Sequence, residues 1–160
     1  MTRHRAALLP VVAVLCMLLL ASGNFAQADS HPAATIPTAE LIQPDELAAV
    51  LLGKATSKPL ILQVGFRTLY EQAHIPGAEY VGAANDAEGL RALRERVARL
   101  PRDTAIVIYC GCCPWTRCPN MAAAYQALHA LGFTQLKALH IANDFGRDWV
   151  DKGYPVARNP

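Results

Sequence analysis

The sequence predicts an α/β fold: a single domain in which a central parallel sheet carries helices on both faces. Three observations lead there. Residues 59–64 and 105–109 are short apolar runs bounded by breakers, with the length and β-branched content of buried strands. Leu90, Leu93, Val97 and Leu100 recur on one face of a helix. Strand-like and helix-like stretches then alternate along the chain, and each helix serves as the crossover that a parallel pair of strands requires.

The elements follow in order. Residues 29–38, with two prolines and little apolar content, read as a flexible lead-in, and the folded domain spans 39–160. Leu41 and Ile42 make a short strand, and Pro44 opens a helix through Leu52, a position where proline gives up no needed hydrogen bond. Residues 68–73 form a short helix and 79–81 another strand. Asn85 caps the helix that carries Leu90 to Leu100. Residues 121–131 are an alanine-rich helix stopped by Gly132, residues 136–141 the last strand, and 145–152 a closing helix.

The first 28 residues have the layout of a secretory signal peptide: basic Arg3, His4 and Arg5, an apolar run over 6–21, then Ala26-Gln27-Ala28. The run falls short of the roughly 20 residues that span a bilayer, so no stable membrane insertion is expected after cleavage. The expected location is periplasmic or secreted, and Cys16 departs with the leader. Of 15 Lys and Arg residues, Arg3 and Arg5 leave too, and the remaining 13 balance 13 Asp and Glu. That balance leaves no electrostatic footprint for nucleic acid or an anionic membrane. Arg91, Arg94, Arg96 and Arg99 alternate with Glu88 and Glu95 on a helical pattern, which is a solvated face.

Beyond the leader, all the sulfur of cysteine lies in one stretch, Cys110-Gly-Cys-Cys-Pro-Trp-Thr-Arg-Cys118. It follows the most strand-like run of the chain and precedes a helix, the place where open α/β sheets hold their ligands. Unpaired N–H groups of a loop and first helical turn favour an anion there, and a cysteine among them is stabilised as thiolate. Arg117 adds a positive charge. Such a cradle suits acceptance of sulfur or of phosphate.

Several stretches resemble the rhodanese-like sulfurtransferase family. His74-Ile75-Pro76-Gly77-Ala78, preceded by Tyr70-Glu71, is similar to the signature between its second and third strands. Val107-Ile108-Tyr109-Cys110 resembles the strand that delivers its catalytic cysteine, and Trp149 with Gly153-Tyr154-Pro155-Val156 its closing segment. The resemblance implies a cysteine that takes a sulfane sulfur from a donor such as thiosulfate, holds it as an anionic persulfide among loop amides, and passes it to a thiol or cyanide. No cofactor is implied. By position at the strand end the nucleophile is Cys110, with Cys112 and Cys113 as alternatives, and Gly111, Trp115 and Arg117 border the substrate.

The sequence also departs from the family. The loop is about five residues longer than usual if Cys110 is the nucleophile, whereas Cys112 stands at the usual spacing from Arg117. Pro114 and Pro119 each remove an N–H from the cradle. The family's Asp-Val-Arg reads Gln63-Val64-Gly65, with Arg67 as the nearest replacement for the lost arginine. The phosphatase spacing between cysteine and arginine would put the nucleophile at Gly111, which disfavours phosphate.

Other roles for the cysteines stand beside sulfur transfer. Cys113 and Cys118 could brace the loop as a disulfide, leaving Cys110 and Cys112 as attacking and resolving thiols. An adjacent Cys112–Cys113 bridge would be strained. The spacing is not that of a zinc ribbon, so no metal is expected, but copper(I) needs only two or three of Cys110, Cys112, Cys113 and Cys118. Three functions follow: a sulfurtransferase, a thiol-disulfide or copper-handling protein, and a non-catalytic module presenting Trp115 and the loop to a protein partner. His74, His129, His140 and Trp149 read as structural.

Overall fold

The computed structural model describes residues 36–54 and 57–158. Five strands pair into one all-parallel sheet: β1 (Leu41–Ile42), β2 (Leu60–Gln63), β3 (Glu79–Tyr80), β4 (Ile106–Tyr109) and β5 (Leu136–Leu139), in the spatial order β1-β5-β4-β2-β3. That order puts β4 in the middle, where all four of its residues are buried. It registers Leu60↔Ile106 through Gln63↔Tyr109 on one side and Ile106↔Leu136 through Ile108↔Ala138 on the other.

Helices α1 (Pro44–Leu52), α2 (Arg67–Gln72), α3 (Ala87–Val97) and α4 (Pro119–Ala130) supply the crossovers. The two-residue period of a strand divides the core into two layers. Leu62, Ile106 and Ile108 pack with Leu93 and Val97 of α3 and with Met121, Ala124 and Leu128 of α4. Val107, Tyr109 and Leu139 pack on the other face with Leu47 of α1, Phe145 and Trp149. Cys110 continues the alternation of β4 and joins the layer beneath α3 and α4.

The local differences from the sequence reading have physical causes. Ile36, inside the segment read as a flexible lead-in, is buried in the core, and Thr38–Glu40 form a 3-10 turn. The cap of α3 is Asp86, whose Oδ1 accepts from the Gly89 N–H at 2.7 Å, while Asn85 bonds elsewhere through its backbone. The closing helix is a single π turn, Gly146–Val150, closed by Asp151 N–H donating to the Gly146 carbonyl at 2.8 Å. It sets Trp149 fully inside, with Nε1 donating to the Pro155 carbonyl at 2.8 Å. The expected signal peptide, 1–28, and residues 29–35 of the lead-in lie outside the described residues. Among the described residues, no helix is long and apolar enough to cross a membrane.

Candidate functional site: a four-cysteine loop at the end of the central strand

Because β4 ends at Tyr109 and α4 begins at Pro119, Cys110–Cys118 is the whole connection between them. Gly111 turns the chain at once: its φ is +71°, and a Cβ there would stand 2.6 Å from Phe145 Cβ. The Phe145 N–H donates to the Gly111 carbonyl at 3.0 Å and ties the loop to the segment after β5. The Trp115 N–H makes a second tie, to the Ala142 carbonyl at 3.1 Å. A 3-10 turn, Trp115–Arg117, then delivers Cys118 to the N-cap of α4, two residues ahead of the helix start expected at Met121.

This path gathers the sulfurs. Cys112 Sγ lies 3.1 Å from Cys110 Sγ, 3.3 Å from Cys113 Sγ and 3.9 Å from Cys118 Sγ. The Sγ atoms of Cys110, Cys112 and Cys118 are all within 4.8 Å of one another. Cys113 Sγ touches Cys112 Sγ but is not one of these three, and it also meets the Arg117 carbonyl at 3.7 Å. All four thiols are free, so the bracing Cys113–Cys118 bond considered from the sequence is not formed in this structure. Cys110 and Cys118 are buried, whereas Cys112 is partly exposed. With Gly111, Leu69 and Phe145, Cys112 lines a cavity of about 290 Å³.

Two residues outside the loop shape the cluster. A Cβ on Gly65, just past β2, would come 2.7 Å from Cys110 Sγ. The site where the family's arginine is missing is thus the space that admits the Cys110 sulfur. Asn120, on the first turn of α4 and 1 % exposed, donates from Nδ2 to Cys110 Sγ at 3.4 Å and to Cys112 Sγ at 3.8 Å. Its Oδ1 accepts from the Asn85 N–H at 2.9 Å. Sequence reasoning passed over Asn120; the available signal was a polar residue on the first turn of an alanine-rich helix, two positions from a cysteine.

The amide ring implied by the resemblance is sparse. The N–H groups of Trp115, Arg117 and Cys118 are spent on the carbonyls of Ala142, Pro114 and Trp115. The donors that do face sulfur are Asn120 Nδ2, the Cys112 N–H toward Cys110, and the Met121 N–H toward Cys118. A hydrogen bond from Cys110 pulls the Cys118 thiol down to about 6 against its burial, with the Met121 N–H helping. The same contact, then burial, pushes Cys110 far above the ordinary thiol range. Burial first, then Cys112, pushes Cys113 up to about 12. Of the two buried thiols, Cys118 at the N-cap of α4 is thus shifted toward the thiolate and Cys110 toward the thiol.

The remaining candidates are dispersed. Arg117 is exposed and meets the cluster through its carbonyl. Trp115 is partly buried and stands edge-on to the His140 ring, with centroids 5.1 Å apart. The Arg67 guanidinium lies over Tyr80, 4.4 Å from the ring centroid, at the β3 edge of the sheet. His74 is buried, bonds the Tyr70 carbonyl through Nδ1 at 2.7 Å and stacks on the Tyr70 ring, as a structural histidine does.

A family model described as the rhodanese-like domain matches residues 43–141. No curated protein matches the chain. Among solved structures, the rhodanese-like domain of an Anabaena sp. protein is 21 % identical with a TM-score of 0.56, over 74 % of this chain and 79 % of that one. A protein from Bacillus halodurans is 20 % identical with a TM-score of 0.57, over 74 % and 76 %. The thiosulfate sulfurtransferase from Pseudomonas aeruginosa is 26 % identical with a TM-score of 0.54, over 74 % of this chain but 20 % of that one. With its all-parallel sheet, a cysteine at the end of the central strand and a family match over more than half its length, the chain belongs to the rhodanese-like domain family.

Proposed function

We propose that the domain is a sulfurtransferase that carries a sulfane sulfur as a persulfide on Cys110, moving it from a donor such as thiosulfate to a thiol or cyanide. The observation that carries this reading is the placement of Cys110 at the carboxyl end of the central strand, with Cys112 Sγ 3.1 Å away on the wall of a cavity. The donor enters over Gly111 and Cys112. The Cys110 sulfur attacks the outer sulfur of thiosulfate, its proton passing to Cys118. One S–S bond forms, the S–S bond of thiosulfate breaks, and sulfite leaves with the electron pair. An acceptor thiolate then attacks the outer persulfide sulfur and releases Cys110 as thiolate. Asn120 Nδ2 offers the anionic persulfide a donor in a site with few others. The leader directs this chemistry to the periplasm or the exterior, with Asp29 as the mature N-terminus.

The 3.1 Å contact supports a second reading, thiol-disulfide exchange, in which Cys110 and Cys112 form a disulfide while a partner's disulfide is reduced to two thiols. Intact-protein mass spectrometry of exported, reduced protein before and after thiosulfate tests both. The expected result is a chain starting at Asp29 that gains the mass of one sulfur, located on the Cys110 peptide and lost in Cys110→Ser. A persulfide that survives in Cys110→Ser and disappears in Cys112→Ser moves the nucleophile to Cys112. Protein that gains no sulfur but reduces a model disulfide to two thiols, with Cys110 and Cys112 becoming a disulfide, selects the second reading.

A further inference from the structure

We propose that Cys110, Cys112 and Cys118 together form a three-thiolate binding site for a soft monovalent metal ion of the copper(I) class, with Cys113 left outside it. The proposal is independent of sulfur transfer, and because both use the same sulfurs, each excludes the other at any moment.

Geometry is the first support. Three sulfurs about 2.3 Å from one ion lie about 4 Å apart in a trigonal plane. Here Cys112 and Cys118 are 3.9 Å apart, Cys110 and Cys112 are 3.1 Å apart, and all three pairs fall within 4.8 Å. Closure asks only for side-chain adjustment. The fourth sulfur of a closed tetrahedral zinc site is not in place, because Cys113 Sγ, although 3.3 Å from Cys112 Sγ, falls outside the group whose sulfurs all lie within 4.8 Å of one another. The donor set is all sulfur, without carboxylate or imidazole, which rejects hard cations and selects soft ones.

Asn120 is the second, separate support. Its Nδ2 has two sulfurs as its acceptors, Cys110 at 3.4 Å and Cys112 at 3.8 Å, in a side chain that is 1 % exposed. A buried amide donor aimed only at neutral thiols is poorly compensated, since a thiol is a weak acceptor. Against thiolates bound to metal it becomes an outer-shell donor that spreads their charge, and its own orientation is held by the Asn85 N–H at 2.9 Å. Binding is balanced by protons: each thiol that ligates gives up its hydrogen, up to three per ion, and the copper stays monovalent throughout. Cys112, on the cavity wall, is the sulfur that an arriving ion meets first.

The test is anaerobic titration of the reduced, full-length expressed protein with copper(I) against a chromophoric copper(I) chelator, followed by alkylation and mass spectrometry of the copper-loaded wild type. One copper per chain should leave the chelator. Copper should shield Cys110, Cys112 and Cys118 from alkylation while Cys113 reacts as it does in the apoprotein. Cys113→Ser should bind copper as the wild type does, whereas Cys112→Ser should lose affinity by about 100-fold or more, beyond the 10–100-fold typical of an outer-shell loss. Shielding of all four cysteines, equal harm from Cys113→Ser and Cys112→Ser, tighter binding of zinc than of copper(I), or failure to draw copper from the chelator would each overturn the proposal. The alkylation pattern and the copper(I) and zinc titrations of the wild type need no variant, so misfolding of a cysteine mutant cannot imitate those results.

Discussion

Gly65→Ala isolates the contact that lets Cys110 into the sheet. The backbone at Gly65 is outside the left-handed region, so alanine is allowed there, and the effect comes from what its Cβ meets. That atom would stand 2.7 Å from Cys110 Sγ and 3.0 Å from Gln63 Nε2, well inside the roughly 3.5–4.0 Å at which heavy atoms pack best. Overpacking of this kind costs about 1–3 kcal/mol. Replacing glycine also removes freedom from the unfolded chain, which stabilises by about 0.4–1 kcal/mol, so the net loss should be about 1–2 kcal/mol. A double-mutant cycle with Cys110→Ala separates the two effects, because the unfolded-state effect is common to both arms and the clash is not. Denaturant unfolding of the four proteins should give a coupling of about 1 kcal/mol or more, the second substitution relieving part of the first. Additivity to within about 0.5 kcal/mol would show that Gly65 makes room for something other than the Cys110 sulfur.

Two further outcomes are expected. Asn120→Ala strands the Asn85 N–H and removes the donor from Cys110, which should cost about 1–3 kcal/mol in urea unfolding; Asn120→Asp keeps the acceptor but turns a carboxylate on the sulfurs, and should lower persulfide yield more than Asn120→Ala does. Arg96 Nη2 donates to Glu79 Oε1 at 2.8 Å and holds the Glu79 carboxyl below its ordinary value of 4.5, so the pair contributes stability above that pH and loses it as the pH falls through the lowered folded value. The stability gap between wild type and Arg96→Gln should therefore be small, as for an exposed pair, and should narrow below about pH 4; a gap that widens in acid would reverse the assignment.

The architecture was legible because its signals are local and repeated. The apolar run that became β4 has four buried positions, and the period of Leu93 and Val97 reports the face that α3 turns to the sheet. The placement of the cysteine loop followed from the same alternation. What was hidden depends on contacts distant in sequence. Asn120 matters through Asn85, thirty-five positions away, and Gly65 through Cys110, across a pair of strands. Ile36 looked like part of a polar lead-in because one isoleucine carries no periodicity, and only the core beneath it explains its burial. The downward shift of the Cys118 thiol was hidden as well. Its main cause is the hydrogen bond from Cys110, a contact between the two ends of a folded loop that no local pattern reports.

The separation of strand end from helix start explains the chemistry of the loop. In a short loop one cysteine can be both the end of the strand and the occupant of the helix cradle. Here a nine-residue loop has a cysteine at each end, so the sheet holds Cys110 and the helix holds Cys118. Backbone carbonyls consume three of the amides that would have ringed an anion, and proline removes two more. Cys112 fills the space between, within 3.1 Å of one sulfur and 3.9 Å of the other. A site stabilised by amides favours a single persulfide anion, whereas a site lined with sulfur favours exchange among sulfurs and capture of a soft ion. The lengthened loop therefore replaces the single cysteine of a short loop with a set of thiols, three of which hold their sulfurs within 4.8 Å of one another.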